Sequence, residues 1–328
     1  TVADGMRDGN VLGFDSVPQP TYKDKDLRKA VALEKAKAQD ETEVFANDSK
    51  KKIYMHWMYD VPMGEQLDDD GDSLESIEGC LTDAQYNRDE HRKAVIDDIL
   101  DNWVSQSHNG KFHAILATSS IPEAIKYYKL FAQRDCGLKT TAVFDPSDGN
   151  NESSIEKIDG IAQMLEDYNS LFGTCFNISG YASFKRDVCA RLAHKTPYTA
   201  VENEPSKCLD ILIVVDQMLT GYDSKWLNTL YMDKFYKWSN IEMIIQAFSR
   251  TNRVFNDDKP HGIIRYYRRP YTMKNIIEYA FEQYSGQKPY GIFVAKLIQN
   301  LENMNAAFSD INDIFKIAGI PDFFKTSR

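Results

Sequence analysis

Two arginines three residues apart, Arg250 and Arg253, follow a stretch (241–248) whose apolar spacing predicts an amphipathic helix. Gln246 lies one turn ahead of Arg250. If the helix continues, spacings of three and four bring these three side chains together. Guanidinium groups on a rigid element suit a phosphoryl-transfer transition state, where negative charge spreads over the γ-phosphate oxygens. Solvated surface arginines paired with carboxylates have the same spacing, and spacing alone does not separate the two. Upstream, the apolar run Ile211-Leu212-Ile213-Val214-Val215 precedes a break at Thr220-Gly221-Tyr222-Asp223, and a short strand is expected at Thr229–Met232. The cationic groups are therefore expected just past the ends of buried strands, the edge where open α/β sheets bind ligands.

Other chemistries leave no trace. There is no G-x-x-x-x-G-K-[ST]; the one Gly-Lys pair, Gly110-Lys111, is followed by Phe112 and lacks the upstream glycine. No G-x-S-x-G elbow occurs. The six histidines show no H-x-x-x-H spacing and are expected to be structural or exposed, so no metal site is expected. No Glu-x-Lys triplet of a metal-dependent nuclease is present.

The elements that must position the arginines read as strand–helix alternation. Strands are expected at 112–117, 139–144, 209–215, 229–232 and 262–266, and helices at 121–132, 154–172, 181–194 and 241–248. Ser239-x-x-Glu242 looks like a capping box for the last of these. This pattern implies an α/β fold, a parallel sheet with helices on both faces. The helix near Lys185–Lys195 is unusually basic, either a surface that tracks a duplex or a solvated face.

The flanks differ. Residues 1–50 show a turn near 8–14, an extended Pro18/Pro20 segment, a charged helix over 26–40 and no core of their own. Residues 61–82 read as an exposed acidic loop, and 82–106 as one long helix. After Pro270 only helices are expected. The resulting division is a connector and helical lead-in at 1–107, a sheet domain at 108–270, and the start of a helical domain at 271–328.

The net charge of −10 masks a local imbalance. From Val61 to Asn87 there are eight acidic residues and no lysine or arginine; from Arg250 to Arg269, six basic residues stand against two acidic. Screening confines the relevant field to about 10 Å, so a phosphate-binding edge can exist on an acidic chain. Five scattered cysteines without a C-x-x-C, and no apolar run near the ~20 residues that span a bilayer, point to a reducing cytoplasm and no membrane. The beginning at Thr1-Val2-Ala3 suggests a piece of a longer polypeptide.

Gln246-Ala247-Phe248-Ser249-Arg250-Thr251-Asn252-Arg253 resembles motif VI of superfamily-2 helicases, in the Q-x-x-S-R-T-N-R form of type I restriction endonuclease motor (R) subunits. The stretch 213–224 resembles motif V, 115–120 resembles motif IV, and their order matches. Asp8–Leu12 and Gly262–Ile264 sit where that family has short signatures. The resemblance implies the second RecA-like domain of an ATP-dependent duplex-DNA translocase, with ATP and Mg2+ bound jointly with a first RecA-like domain that this chain lacks. Arg250 and Arg253 would then be the catalytic pair reaching across the cleft. Gln246, Gly221 and Asp223 would serve the nucleotide, Gly221 by allowing close backbone approach. Ser119, Ser120 and Thr220 would contact the DNA backbone, although a strand-end serine is equally an ordinary helix cap. The implied partners are double-stranded DNA and the modification and specificity subunits, and the fragment alone would be inactive. Another superfamily-2 remodeller and a non-catalytic interaction module are the alternatives.

Overall fold

The structure is a computed structural model, and it describes residues 10–134, 136–144, 154–215 and 222–284, with isolated positions outside these ranges. Six strands form one sheet: β1 (Phe14–Pro18), β2 (His113–Thr118), β3 (Thr140–Val143), β4 (Ile211–Val214), β5 (Leu227–Asp233) and β6 (Gly262–Tyr266). Their order is β1-β6-β5-β2-β4-β3, and every pairing is parallel. Every residue of β2, β4 and β5 is buried. Successive side chains of a strand point to opposite faces, so both faces of the central sheet are covered. This is the α/β parallel sheet that the strand–helix alternation implies, and it is consistent with the RecA-like fold that the resemblance implies.

The helices are α1 (Asp24–Lys35), α2 (Glu41–Phe45), α3 (Asp48–Tyr59), α4 (Asp83–Tyr86), α5 (Asp89–Gln106), α6 (Ile121–Gln133), α7 (Ser154–Phe172), α8 (Tyr181–Leu192), α9 (Ile241–Phe248) and α10 (Pro270–Tyr284). None among the described residues is long and apolar enough to cross a membrane. The expected single helix over 82–106 is two, broken at Asn87–Arg88. Tertiary bonds hold the break: Arg268 Nη2 donates to Asn87 Oδ1 at 3.0 Å, and the Arg269 amide donates to the Tyr86 hydroxyl at 2.9 Å.

The N-terminal stretch differs from the sequence reading in two ways. Its first strand, β1, pairs with β6 and so belongs to the sheet. Residues 24–81 also have a core of their own, built from Val31, Ala32, Val44, Tyr54, Trp57, Val61 and Ile77. No single helix there shows enough apolar surface to reveal it; the core is assembled from three short helices and a loop. Nor is 61–82 wholly exposed. Glu78 is fully buried, accepting from the Tyr22 hydroxyl at 2.5 Å and from the amides of Tyr271 and Thr272 at 3.2 and 2.7 Å. Those amides are orphan donors in the first turn of α10, so this carboxylate caps a distant helix. Burial pushes the Glu78 carboxyl above its usual range while these bonds pull it back.

Candidate functional site

Helix α9 sets the position of the arginines by burying Ile244, Ala247 and Phe248. The Phe248 ring meets Phe14 of β1 and Phe281 of α10, each at 5.5 Å between centroids. The expected capping box is absent: no side chain caps α9, and the Ser239 hydroxyl donates to Asn240 Oδ1 instead, at 2.6 Å. The helix ends at Phe248, so Arg250 and Arg253 lie on a turn and not on a continued helix.

That turn is packed against the start of β6. Thr251 is fully buried, with its hydroxyl on the Phe248 carbonyl at 3.0 Å, and the Leu12 amide donates to the Asn252 carbonyl at 2.8 Å. Gly262 faces Thr251 so closely that a Cβ there would sit 3.0 Å from the Thr251 carbonyl oxygen, 2.8 Å from its Cβ, and closer still to its hydroxyl. Only a glycine admits this approach.

The turn brings the two arginines together with the loop ahead of β5. Arg250 donates from Nε to the Gln246 carbonyl at 3.1 Å and from Nη1 to the Tyr222 carbonyl at 2.8 Å. Arg253 donates from Nε to Asp223 Oδ1 at 2.6 Å. Both partners of that ion pair are well exposed, with side-chain accessibilities of 42% and 63%, so the pair adds only about 0–1 kcal/mol of stability. Its effect is orientation: Nε is occupied and Nη1 and Nη2 have no other partner among the described residues. Burial, then the adjacent Arg253, pull the Arg250 guanidinium below its usual pKa, with Asp223 pushing back. Two like charges held side by side form a site that gains from an anion.

Beneath them lies a group of side chains that the sequence did not single out. Lys259 is buried, and its Nζ donates to the carbonyls of Leu227 and Lys225 at 2.7 and 3.2 Å. Burial, then Arg253, pull its ammonium down to about 7. The Tyr222 hydroxyl meets His113 Nε2 at 3.1 Å. Burial, then His194 and Lys259, lower the His113 pKa well below its usual value, so the ring is neutral at pH 7. On the same edge a cavity of about 890 Å³ opens between Trp103, Lys111, Lys139, His194, Trp226 and Phe255. The position of Tyr222 beside the Gly221-Tyr222-Asp223 break was the one available signal; nothing in the sequence marks Lys259.

The expected residues divide between two edges. Arg250, Arg253 and Asp223 lie ahead of β6 and β5, where strands begin, whereas Ser119 and Ser120 follow β2, where strands end. This corrects the expectation that the cationic groups stand past the strand ends. In a parallel sheet each helix carries the chain back to the starting edge, so a residue after α9 and before β6 must lie there. The seven residues of β5 separate the edges by about 20 Å. Ser120 caps α6 through the Glu123 amide at 3.4 Å. Gln246 is exposed, and its carbonyl, not its amide side chain, meets Arg250. Thr220 and Gly221 lie outside the described residues.

The basic run 250–269 is likewise not one edge. Arg265 is paired with Asp98 at 2.5 and 2.9 Å, and Arg269 donates to the Leu81 carbonyl at 2.6 Å. Arg268 reaches the fully buried Asp233 at 2.9 and 3.2 Å, which also meets His91 Nε2 at 2.7 Å and the Tyr127 hydroxyl at 2.9 Å. Burial pushes the Asp233 carboxyl up, but His91 and Arg268 outweigh it and hold it down at about 2. On α8, Arg191 is turned inward onto Asp187, Tyr168 and Tyr198, so the basic face there is smaller than the sequence implies. Arg191, Arg265 and Arg268 pair with carboxylates and Arg269 with a backbone carbonyl, so all four are spent on the fold.

Residues 110–269 match the family model described as type I restriction enzyme subunit R domain 3. A type I restriction enzyme endonuclease subunit of Staphylococcus saprophyticus is 32% identical over 213 residues, covering 62% of this chain and 22% of that protein. One of Staphylococcus aureus is 29% identical over 275 residues, covering 81% of this chain and 24% of that protein. The chain thus spans about a quarter of the length of these relatives. A solved chain, the C-terminal part of the Fun30 ATPase domain, shares 12% identity at a TM-score of 0.30 over 76% of this chain and 62% of that one, so the fold rests on the sheet itself. The segment 110–269, which carries five of the six strands and both arginines, belongs to the family of type I restriction enzyme subunit R domain 3.

Proposed function

We propose that this chain is the arginine-bearing half of a two-domain ATP site in the DNA-translocating motor of a type I restriction endonuclease. One observation carries the reading: Arg250 and Arg253 are held side by side by the Tyr222 and Gln246 carbonyls and by Asp223, at an exposed sheet edge. The chain has no P-loop of its own, so the lysine that grips the phosphates belongs to another domain.

Bound ATP supplies the phosphoryl group whose oxygens gain charge in the transition state. The residues here fit that charge: each guanidinium has one side fixed by the fold and nitrogens left over for an anion. They do not fit the metal. Among the described residues no three His, Cys, Asp or Glu side chains converge, and Asp223 is already paired with Arg253, so Mg2+ would be held from the other domain. Ser119 and Ser120, on the opposite edge, would serve DNA phosphates, where sequence-independent contacts suit translocation, and Thr220 would add a further backbone contact. Target choice would fall to the specificity subunit and protection to the modification subunit, in the cytoplasm.

The test uses the complete R subunit assembled with its partner subunits. DNA-stimulated ATPase activity of Arg250→Ala and Arg253→Ala should fall roughly a hundred- to a thousandfold in kcat, with folding intact. ATPase activity that survives both substitutions refutes the reading and leaves the arginines as a docking surface.

A further inference from the structure

Lys259 is an expensive residue without a structural excuse. An ammonium removed from water normally finds a carboxylate, yet Lys259 has two backbone carbonyls and no carboxylate partner among the described residues. Its location accounts for it. The carbonyls it holds belong to Lys225 and Leu227, in the loop that carries Tyr222 and Asp223 into β5. Lys259 itself lies between Arg253 and β6. Polar contacts join the two loops at three places: Arg250 to the Tyr222 carbonyl, Arg253 to Asp223, and Lys259 to Lys225 and Leu227; the Trp226 ring also meets Phe255 at 4.6 Å between centroids. The outer two contacts use the very arginines that an anion would recruit. Of these polar contacts only the one from Lys259 to the Leu227 carbonyl is fully buried, and it draws on neither arginine.

We propose that Lys259 is a positioning residue for the phosphate site, a buried clamp that keeps the Asp223 loop in register with Arg250 and Arg253 when an anion engages them. The proposal rests on the reading of these arginines as phosphate ligands. Around the ammonium stand Arg253 and Asp258 on its own loop, His113 on β2 with His194 beside it, and Asp223 and Lys225 on the loop it grips. Asp258 is exposed and paired with Lys111, and Asp223 with Arg253, so neither neutralises Lys259.

The test uses this chain with inorganic triphosphate as the probe. Lys259→Met is expected to speed amide exchange selectively at 222–227 and 250–255, about tenfold, and to weaken triphosphate binding by a similar factor. Lys259→Arg, which keeps charge and donors, is expected to restore both. Should Lys259→Met fail to fold, Lys259→Gln, too short to reach both carbonyls, carries the same expectation. Exchange and binding within twofold of the parent overturn the proposal, as does faster exchange spread evenly over the whole sheet. If Arg250→Ala and Arg253→Ala bind triphosphate as the parent does, the phosphate reading fails, while the exchange pattern still reports whether Lys259 clamps the loop.

Discussion

The clamp has a thermodynamic signature. A lysine in an unfolded chain titrates near 10.4, whereas burial and then Arg253 hold the Lys259 ammonium at about 7. Between these values the unfolded state binds more protons than the folded state, so stability must rise with pH. The depressed pKa therefore acts as a penalty, largest at and below pH 7 and relieved as pH climbs toward 10. Weighting the two protonation curves gives a gain of about 2 kcal/mol between pH 7 and pH 9. The half-buried Tyr22 and the buried Tyr231 work in the opposite sense at higher pH, because burial raises their pKa values and that contribution is lost as phenols ionise. They are common to parent and variant, so comparison with Lys259→Met cancels them. Urea unfolding of both proteins at pH 7, 8 and 9 should show the parent gaining about 2 kcal/mol relative to the variant. Parallel pH dependences refute the argument, because they would mean that Lys259 titrates alike in the folded and unfolded chain.

Asp233→Asn removes the carboxylate that compensates Arg268 and His91, and should cost about 3–5 kcal/mol in urea unfolding at pH 7. The parent's own carboxyl, held near 2, gives stability that is present above about pH 4 and lost as pH falls through 2; a parent without this acid limb, measured against the variant, would contradict the assignment. Gly262→Ala places a Cβ against Thr251 and should displace the turn that carries both arginines, costing about 1–3 kcal/mol as overpacking does. A parent-like melting curve and parent-like triphosphate binding for that variant would show that the turn yields freely.

Much of the sheet was legible in the sequence because its strands are buried on both faces. Such strands read as unbroken apolar runs, as in Ile211–Val214, and the helices between them repeat at 3.6 residues. The arginine pair was legible for another reason: its recognition lies in residue types at short spacing, which a linear sequence preserves. What lay beyond reach was every outcome set by a distant partner. Whether Arg268 is left for a ligand depends on where Asp233 stands, and that follows from the pairing of β5 with β2 and β6. Glu78 reads as one more acid in an acidic loop until α10 offers its first amides. β1 is a five-residue edge strand with one fully buried position, too weak a pattern to join to β6 more than two hundred residues away. Lys259 looks like a turn lysine in Asn256-Asp257-Asp258-Lys259-Pro260, and only the approach of the Lys225 and Leu227 carbonyls makes it an interior group. Local periodicity thus determined most of the elements of the sheet domain, and resemblance to a short motif named the arginines. Tertiary structure decided which charges are neutralised and on which edge the candidate site lies, because electrostatic partnership is a matter of distance in space and not along the chain.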